Sequence, residues 1–160
     1  MIKITVIAVG SLKEKYLKEA VSEYLKRLSA FAKVTVTEIN ECRSSSDPSD
    51  AEIEAVKKKE GDAILSKIPK SAYVIPMCIE GTQLSSEEIS SKIEEIAVRG
   101  TPEIVFIIGG SFGLSEEVKK AGQFRLSFGK ITLPHQLMRV LLLEQIYRAL
   151  SISNHSKYHK

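Results

Sequence analysis

Two glycine-containing loops near the carboxyl-terminal end of the chain carry residue types that build ligand pockets. An apolar run over residues 104–108 ends in Gly109 and Gly110. The second loop, residues 127–133, also contains a glycine and leads through Pro134 into a helical stretch. In α/β proteins a strand that ends in a glycine turn brings backbone N–H and C=O groups up to a ligand. Two such loops close together predict one pocket built largely from main chain.

Neither common phosphate-binding fingerprint fits these glycines. A G-x-G-x-x-G dinucleotide motif ending at Gly113 requires glycine at the position where Ile108 stands. A P-loop requires four residues before its Gly-Lys pair, whereas six separate Gly122 from Gly129, and Ile131 replaces the hydroxyl residue. Two interpretations of the first turn therefore stay open, a wall of a binding site and a tight turn with no further function.

The last helical stretch, from Pro134 to about Leu150, is apolar nearly all the way round. A terminal helix of this kind needs a partner for its outer face, and a symmetric dimer supplies one. Arg139 and Arg148 would then be partly buried, where an unpaired charge is costly. Glu144 has the i,i+4 spacing that pairs it with Arg148. Both arginines keep a structural and a functional interpretation.

The tail of the chain ends in Tyr158, His159 and Lys160. Chain ends usually fray, so a solvated tail is the simple interpretation. Beside a dimer helix, however, such a tail can lie over a neighbouring pocket and supply stacking, hydrogen-bonding and cationic groups.

Alternating strands and helices must position these candidates. The sequence predicts strands over residues 2–9, 34–39, 73–79, 104–108 and 123–127. It predicts helices over residues 12–28, from 50 onward with an interruption at Gly61, from 86, from 116 to Gly122, and from Pro134. This alternation predicts an α/β fold with a mostly parallel sheet covered by helices on both faces, in one domain over residues 1–160.

Local signals refine several of these boundaries. Two pairs have the spacing of a capping box, Ser49 with Glu52 and Ser85 with Glu88. Pro76 withholds a backbone donor, so its strand is predicted to be irregular there or to lie at a sheet edge. Residues 80–81 are predicted to turn the chain, and residues 40–50 to form a polar loop.

The bulk composition, 43% hydrophobic and 27% charged, is typical of a soluble globular domain. The net charge of +3 is too small to indicate nucleic-acid binding by itself. The two cysteines lack Cys-x-x-Cys spacing and the three histidines all lie near the carboxyl terminus, so no metal site is expected. No apolar run reaches the length of a membrane span, and a cytoplasmic protein without a membrane partner is expected.

Several motifs, taken in order along the chain, resemble one methyltransferase family. They are Gly109, Gly110, Gly113 and Leu114; Leu126, Ser127 and Thr132 through Gln136; Arg139, Val140, Glu144, Gln145, Tyr147, Arg148 and Ala149; and Tyr158, His159 and Lys160. The set is similar to the SPOUT-class methyltransferases that modify N3 of a pseudouridine in 23S rRNA. The resemblance covers essentially the whole chain.

This resemblance implies a carboxyl-terminal trefoil knot over about residues 104–160 and a homodimer packed through the last helix. It implies S-adenosyl-L-methionine as methyl donor, no metal, and 23S rRNA in the large subunit or assembled ribosome as partner. The implied cofactor-binding residues are Met77, Gly109, Gly110, Phe128, Gly129, Lys130, Ile131, Thr132 and Leu133. Phe112 and Pro76 depart from the family pattern and bear on the shape of the pocket.

The chemistry of the implied reaction selects the candidate catalytic residues. Uracil N3 carries a proton at neutral pH, so the proton must leave or the anion must be stabilised. His159 is the expected base, Arg148 or Arg139 stabilises negative charge on the ring, and Tyr158 stacks on or hydrogen-bonds the base. His135 is the competing base, with a structural role in orienting the loop as its alternative.

Two other functions stay open at this point. A dimer that binds an adenosine-type ligand without catalysis would serve as a sensor. A methyltransferase of the same fold would instead act on tRNA, although a lone compact domain of modest charge fits a substrate that supplies much of the shape.

Overall fold

The protein, in a computed structural model that describes all of residues 1–160, alternates five strands with five helices. They are β1 (Ile2–Val9), α1 (Lys15–Leu28), β2 (Ala32–Ile39), α2 (Asp50–Ser66), β3 (Tyr73–Gln83), α3 (Ser86–Val98), β4 (Glu103–Ile108), α4 (Glu116–Ala121), β5 (Leu126–Ser127) and α5 (His135–Ser153). The predicted alternation is confirmed. No helix combines the length and the apolar content that crossing a membrane requires.

The strands form a single layer in the order β2-β1-β4-β3-β5, with every neighbouring pair parallel. The sheet predicted to be mostly parallel is therefore parallel throughout. Its central strands β1 and β4 are apolar runs, and all of β4 is buried because helices cover both of its faces. Since the strands share one direction, their carboxyl ends meet at one edge, where open α/β sheets bind ligands.

Helices cover both faces of the sheet, as predicted. One face carries α1, α3 and α5 over a cluster of 20 buried apolar residues that includes Leu28, Ile93 and Ile146. The other face carries α2 and α4 over a cluster of 10, including Ile64 and Val118. The larger core lies under α5, so the carboxyl-terminal helix is part of the principal packing of the fold.

The helices α2 and α3 begin at the predicted capping residues, with one difference in the hydrogen bonds. Ser85 and Glu88 form a complete capping box at α3. At α2 the Ser49 hydroxyl accepts the Glu52 N–H, but the Glu52 carboxylate binds the N–H and hydroxyl of Ser45 instead of returning to Ser49. The second predicted box is therefore half formed, because the preceding loop offers Glu52 two donors.

Two predictions about helices were wrong. α1 begins at Lys15 rather than residue 12, because Leu12 packs on the core from the preceding loop. Gly61 does not interrupt α2, which continues to Ser66. A Cβ atom at Gly61 would lie 2.5 Å from the Ser115 hydroxyl oxygen, so the glycine lets α2 pack closely against the start of α4.

β3 also departs from its prediction. Residues 80–81 do not turn the chain, because the strand continues through them to Gln83 and pairs with β5 after an irregularity between Met77 and Thr82. Pro76 lies in this irregular strand, and not at an edge, since β3 lies between β4 and β5. Of the two alternatives for Pro76, the irregular strand is confirmed.

The fifth strand is shorter than predicted and the last helix longer. β5 contains only Leu126 and Ser127, because Gln123 pairs with Val74 partly through its side-chain oxygen, which accepts the Val74 N–H at 2.7 Å. α5 extends three residues beyond Leu150, to Ser153. Pro134 occupies the N-cap position rather than the first turn.

Candidate functional site

The carboxyl ends of β3, β4 and β5 surround a cavity of about 710 Å³. Eight of the nine predicted cofactor-binding residues line it: Met77, Gly109, Gly110, Phe128, Gly129, Ile131, Thr132 and Leu133. Lys130, the ninth, is exposed and does not line the cavity. The structure thus brings together two loops that lie about twenty residues apart in the chain.

The first wall of the cavity is the turn that follows β4. Gly113 donates its N–H to the Gly110 carbonyl at 3.1 Å, which closes the turn tightly. A Cβ at Gly109 would lie 2.8 Å from the Gly113 carbonyl carbon, so only glycine allows this approach. The wall therefore presents backbone atoms without side chains, as the strand-to-glycine pattern predicted.

The second wall is the loop between β5 and α5. Gly129 has a φ of +118°, a backbone conformation that other residues rarely adopt. The buried Ser127 hydroxyl accepts the Gly129 N–H at 3.1 Å and lies 2.8 Å from the Ile79 carbonyl oxygen. These contacts tie the loop to the end of β3, so both strands fix the shape of the cavity.

Charged groups at the cavity were not predicted. Lys57 and Lys119 line it, and the Lys119 ammonium pairs with Glu80 and, at 3.6 Å, with Glu116. The Lys119 partner lowers the pKa of the Glu80 carboxyl. Cys78 also lines the cavity, where burial raises the pKa of its thiol. These residues come from the helices α2 and α4 and from β3, where no sequence motif marks them.

Arg139 lies inside the protomer and not on the outer face of α5. Its side chain is only 2% exposed, and its guanidinium donates to the Glu38 carboxylate at 2.7 Å and to the Gly10 carbonyl at 3.1 Å. The expectation of partial burial is corrected, because the carboxyl ends of β1 and β2 supply both acceptors. Arg139 does not line the cavity, and its contacts are structural.

The tail is folded back along α5 of its own chain. Glu144 accepts from Arg148 at 2.7 Å, which confirms the predicted i,i+4 pair, and its second oxygen accepts the Tyr158 hydroxyl at 2.8 Å. The Arg148 guanidinium also lies 4.7 Å from the centroid of the Tyr158 ring. The His159 imidazole contacts Glu87 of α3 at 2.8 Å and Arg148 at 3.3 Å. Tail and helix thus form one polar cluster.

The predicted catalytic residues divide into two groups. His135, at the start of α5, lines the cavity. Arg148, Tyr158 and His159 lie in the tail cluster, and none of them lines the cavity of their own chain. Glu144 and Glu87, which hold that cluster together, were not among the predicted site residues.

A family model described as a predicted SPOUT methyltransferase matches residues 2–159. The chain belongs to the SPOUT methyltransferase family. For a methyltransferase of this family, the backbone-walled cavity at the carboxyl edge of the sheet is the candidate active site.

Individual relatives are similar in sequence to this SPOUT methyltransferase over nearly its full length. A protein of Listeria monocytogenes and one of Bacillus thuringiensis, each named ribosomal RNA large subunit methyltransferase H, are both 52% identical over 157 residues, or 98% of this chain and 99% of each relative. A solved structure of a probable methylase family protein from Haemophilus influenzae superimposes with a TM-score of 0.51 at 14% identity. It covers 99% of this chain and 70% of that chain, and supports the fold alone.

The tail cluster predicts an unusual titration of two tyrosines. Burial first, and the Glu144 carboxylate second, raise the pKa of both Tyr24 and Tyr158 above the ordinary value of 10. A raised pKa in the folded state means that the contribution of these tyrosines to stability is present below the ordinary pKa and is lost as the pH rises above it. We expect Glu144→Gln to move both titrations part of the way back toward 10 in a tyrosinate absorbance titration.

Glu19→Gln is the matched control, since Glu19 is an exposed carboxylate on α1 that pairs only with Lys15. It leaves the tyrosine titration unchanged. An unchanged titration in Glu144→Gln as well would show that Glu144 does not organise the tail.

Proposed function

We propose that this protein transfers the methyl group of S-adenosyl-L-methionine to N3 of a pseudouridine in 23S rRNA of the large ribosomal subunit. The observation that carries the proposal is the 52% identity, over nearly the whole of both chains, to relatives named ribosomal RNA large subunit methyltransferase H. Such a substrate places the protein in the cytoplasm. The cavity supports the same assignment through its size and lining.

The cavity residues fit S-adenosyl-L-methionine. Glycine at position 109 leaves a cradle that a Cβ would fill, and main-chain groups at such a turn can hydrogen-bond adenine and ribose. Phe128, Leu133 and Met77 line the cavity and give apolar surface to the adenine and the aliphatic chain. When bound, the cofactor supplies an electrophilic methyl group on a cationic sulfonium.

The chemistry at the pseudouridine base then depends on residues of the tail and of α5. His159 takes the proton from N3, Arg148 stabilises the negative charge that develops on the ring, and Tyr158 stacks against the base. His135, which lines the cavity, is the alternative proton acceptor. Glu87 of α3 contacts the His159 imidazole at 2.8 Å and orients the ring.

A homodimer through α5 joins these two groups of residues. Leu137 is 37% exposed, and Val140 and Leu141 are half-buried, so the outer face of α5 is apolar and uncovered within the protomer. Pairing two such faces covers this surface and carries the tail of one chain toward the cavity of the other. The reacting centre is then composite. One copy holds the cofactor, and the tail of its partner contacts the pseudouridine base.

A single knotted domain over residues 1–160 completes the proposal, with the trefoil knot in about residues 104–160. Family membership supports the knot. A Cβ at Gly81 would lie 2.9 Å from backbone atoms of Arg125 and Leu126. Glycine at position 81 therefore lets β3 and β5 approach closely where their pairing is irregular.

Methyl transfer to defined RNA substrates tests the function. The protein is incubated with labelled S-adenosyl-L-methionine and unmethylated ribosomes, separate subunits or tRNA, and the methylated nucleotide is mapped by mass spectrometry. We expect label only on 23S rRNA, at N3 of a pseudouridine. Label on tRNA alone would overturn the substrate, and cofactor binding without any transfer would favour a sensor.

Removal of residues 156–160 tests the role of the tail. Because loss of a general base typically lowers rates by about 10²–10⁴-fold, we expect methylation of ribosomes to fall at least a hundredfold while the cofactor Kd stays unchanged. His159→Ala should reproduce most of the loss. His155→Ala is the matched control, since His155 is an exposed histidine of the same tail. Full activity of the shortened protein, with dimerisation and cofactor binding intact, would exclude the tail from the reaction.

A further inference from the structure

A second cavity, of about 430 Å³, lies against the other side of the glycine turn. Ser111 and Phe112 line both cavities, so only this turn separates them. The second cavity is formed by the turn, by α2, and by the loop that follows β2. Its position beside the proposed methyl donor makes its chemistry relevant to the substrate.

The buried part of this cavity is formed by Glu60. Only 3% of this residue is exposed, and one carboxylate oxygen accepts the Cys42 N–H at 3.0 Å. The other oxygen, Oε1, is buried and has no hydrogen-bond partner. Buried polar atoms are nearly always paired in folded proteins, so an unpaired acceptor facing a cavity points to a missing donor.

Gly110 of the turn lies directly against this buried carboxylate. A Cβ at that position would lie 3.2 Å from Glu60 Oε1 and 3.4 Å from Oε2. Any side chain there would cover the carboxylate. The same glycine turn that forms a wall of the first cavity thus packs against the acceptor of the second cavity, with no side chain of its own at position 110.

The rim of the cavity has the opposite charge. Lys13 and Arg43 line it, are exposed, and form no ion pair. Glu41 also lines the cavity and accepts the Ser111 hydroxyl at 3.0 Å, which ties the rim to the glycine turn. The cavity therefore offers two cations and the Glu41 carboxylate at its mouth, and the unpaired Glu60 acceptor at its base.

We propose that the second cavity is a subsite for a nucleotide of the RNA substrate, with a base N–H donating to Glu60 Oε1 and the phosphate held by Lys13 and Arg43. This rests on the proposed function. A nucleotide is the unit of RNA that carries a donor edge and an anion in one molecule, and it matches the two ends of the cavity. A free anion fits only the cations of the rim, because the Glu60 carboxylate repels it at the base.

Two natural cysteines report on the two cavities separately. Cys78 lines the first cavity and Cys42 the second, and both are half-buried free thiols. Alkylation of each thiol is followed by mass spectrometry of the full-length protein. We expect S-adenosylhomocysteine alone to slow only Cys78, and addition of unmethylated ribosomes to slow Cys42 as well.

An unchanged alkylation rate at Cys42, under conditions where the wild-type protein methylates the same ribosomes, would overturn the subsite and leave the function intact. Absence of methylation by the wild-type protein would instead remove the proposed function on which the subsite rests. The two failures are thus read from different measurements on the same sample.

Variants test the same subsite by kinetics. We expect Lys13→Ala and Arg43→Ala each to raise the KM for ribosomes and to reduce the salt dependence of binding by about one unit of slope, as for a lost phosphate contact. Glu60→Gln should raise that KM about tenfold, because the amide replaces a charged acceptor. All three should keep the cofactor Kd of the wild-type protein.

Lys26→Ala is the matched control, since Lys26 is an exposed cation in the last turn of α1, outside both cavities. It should change neither KM nor the salt slope. If Lys13→Ala and Arg43→Ala behave like Lys26→Ala, the rim does not bind the RNA backbone and the subsite is excluded, whatever the folding of Glu60→Gln.

Discussion

The Arg139 guanidinium is buried at the point where α5 meets the carboxyl edge of the sheet. Glu38, at the end of β2, neutralises it, and the carbonyl of Gly10, after β1, accepts its second hydrogen bond. Leaving such a buried charge without its partner costs about 3–5 kcal/mol, less here because about half of the Glu38 side chain faces solvent. This pair holds the first turns of α5 against the sheet, and the first cavity, which α5 helps to line, depends on that position.

The position of Arg139 within α5 explains why the site residues of one chain fall into two groups. One turn before Arg139, His135 faces the first cavity, and the loop before α5 forms the wall of that cavity. About one and a half turns after Arg139, Glu144 accepts the Tyr158 hydroxyl and so holds the tail on the same helix. A helix rises about 1.5 Å per residue, so a rigid α5 keeps its two ends apart within one chain. A second copy of the chain is the simplest way to bring tail and cavity together.

The sequence was sufficient where one local cause decides the structure. β1 is a β-branched run bounded by Gly10, and its predicted limits are those observed. The sequence was insufficient where contacts between segments far apart in the chain determine the structure. Residues 80–81 have the composition of a turn, yet pairing with β5 keeps them in a strand. Gly61 resembles a helix breaker until the Ser115 side chain is seen against it. The backbone-lined cavity was predictable from its glycines, whereas the buried acceptor of Glu60 required the fold.

The central claim is that each reacting centre combines the cavity of one chain with the tail of its partner, and mixed dimers test it most directly. His159→Ala removes the base, and Leu133→Glu places a charge in the cofactor cavity, so each homodimer should be nearly inactive toward ribosomes. Random mixing yields heterodimers in which one of the two centres is intact, and activity should rise to about a quarter of the wild-type value for symmetric dimers. Activity that stays at the level of the two parent variants would contradict the composite centre.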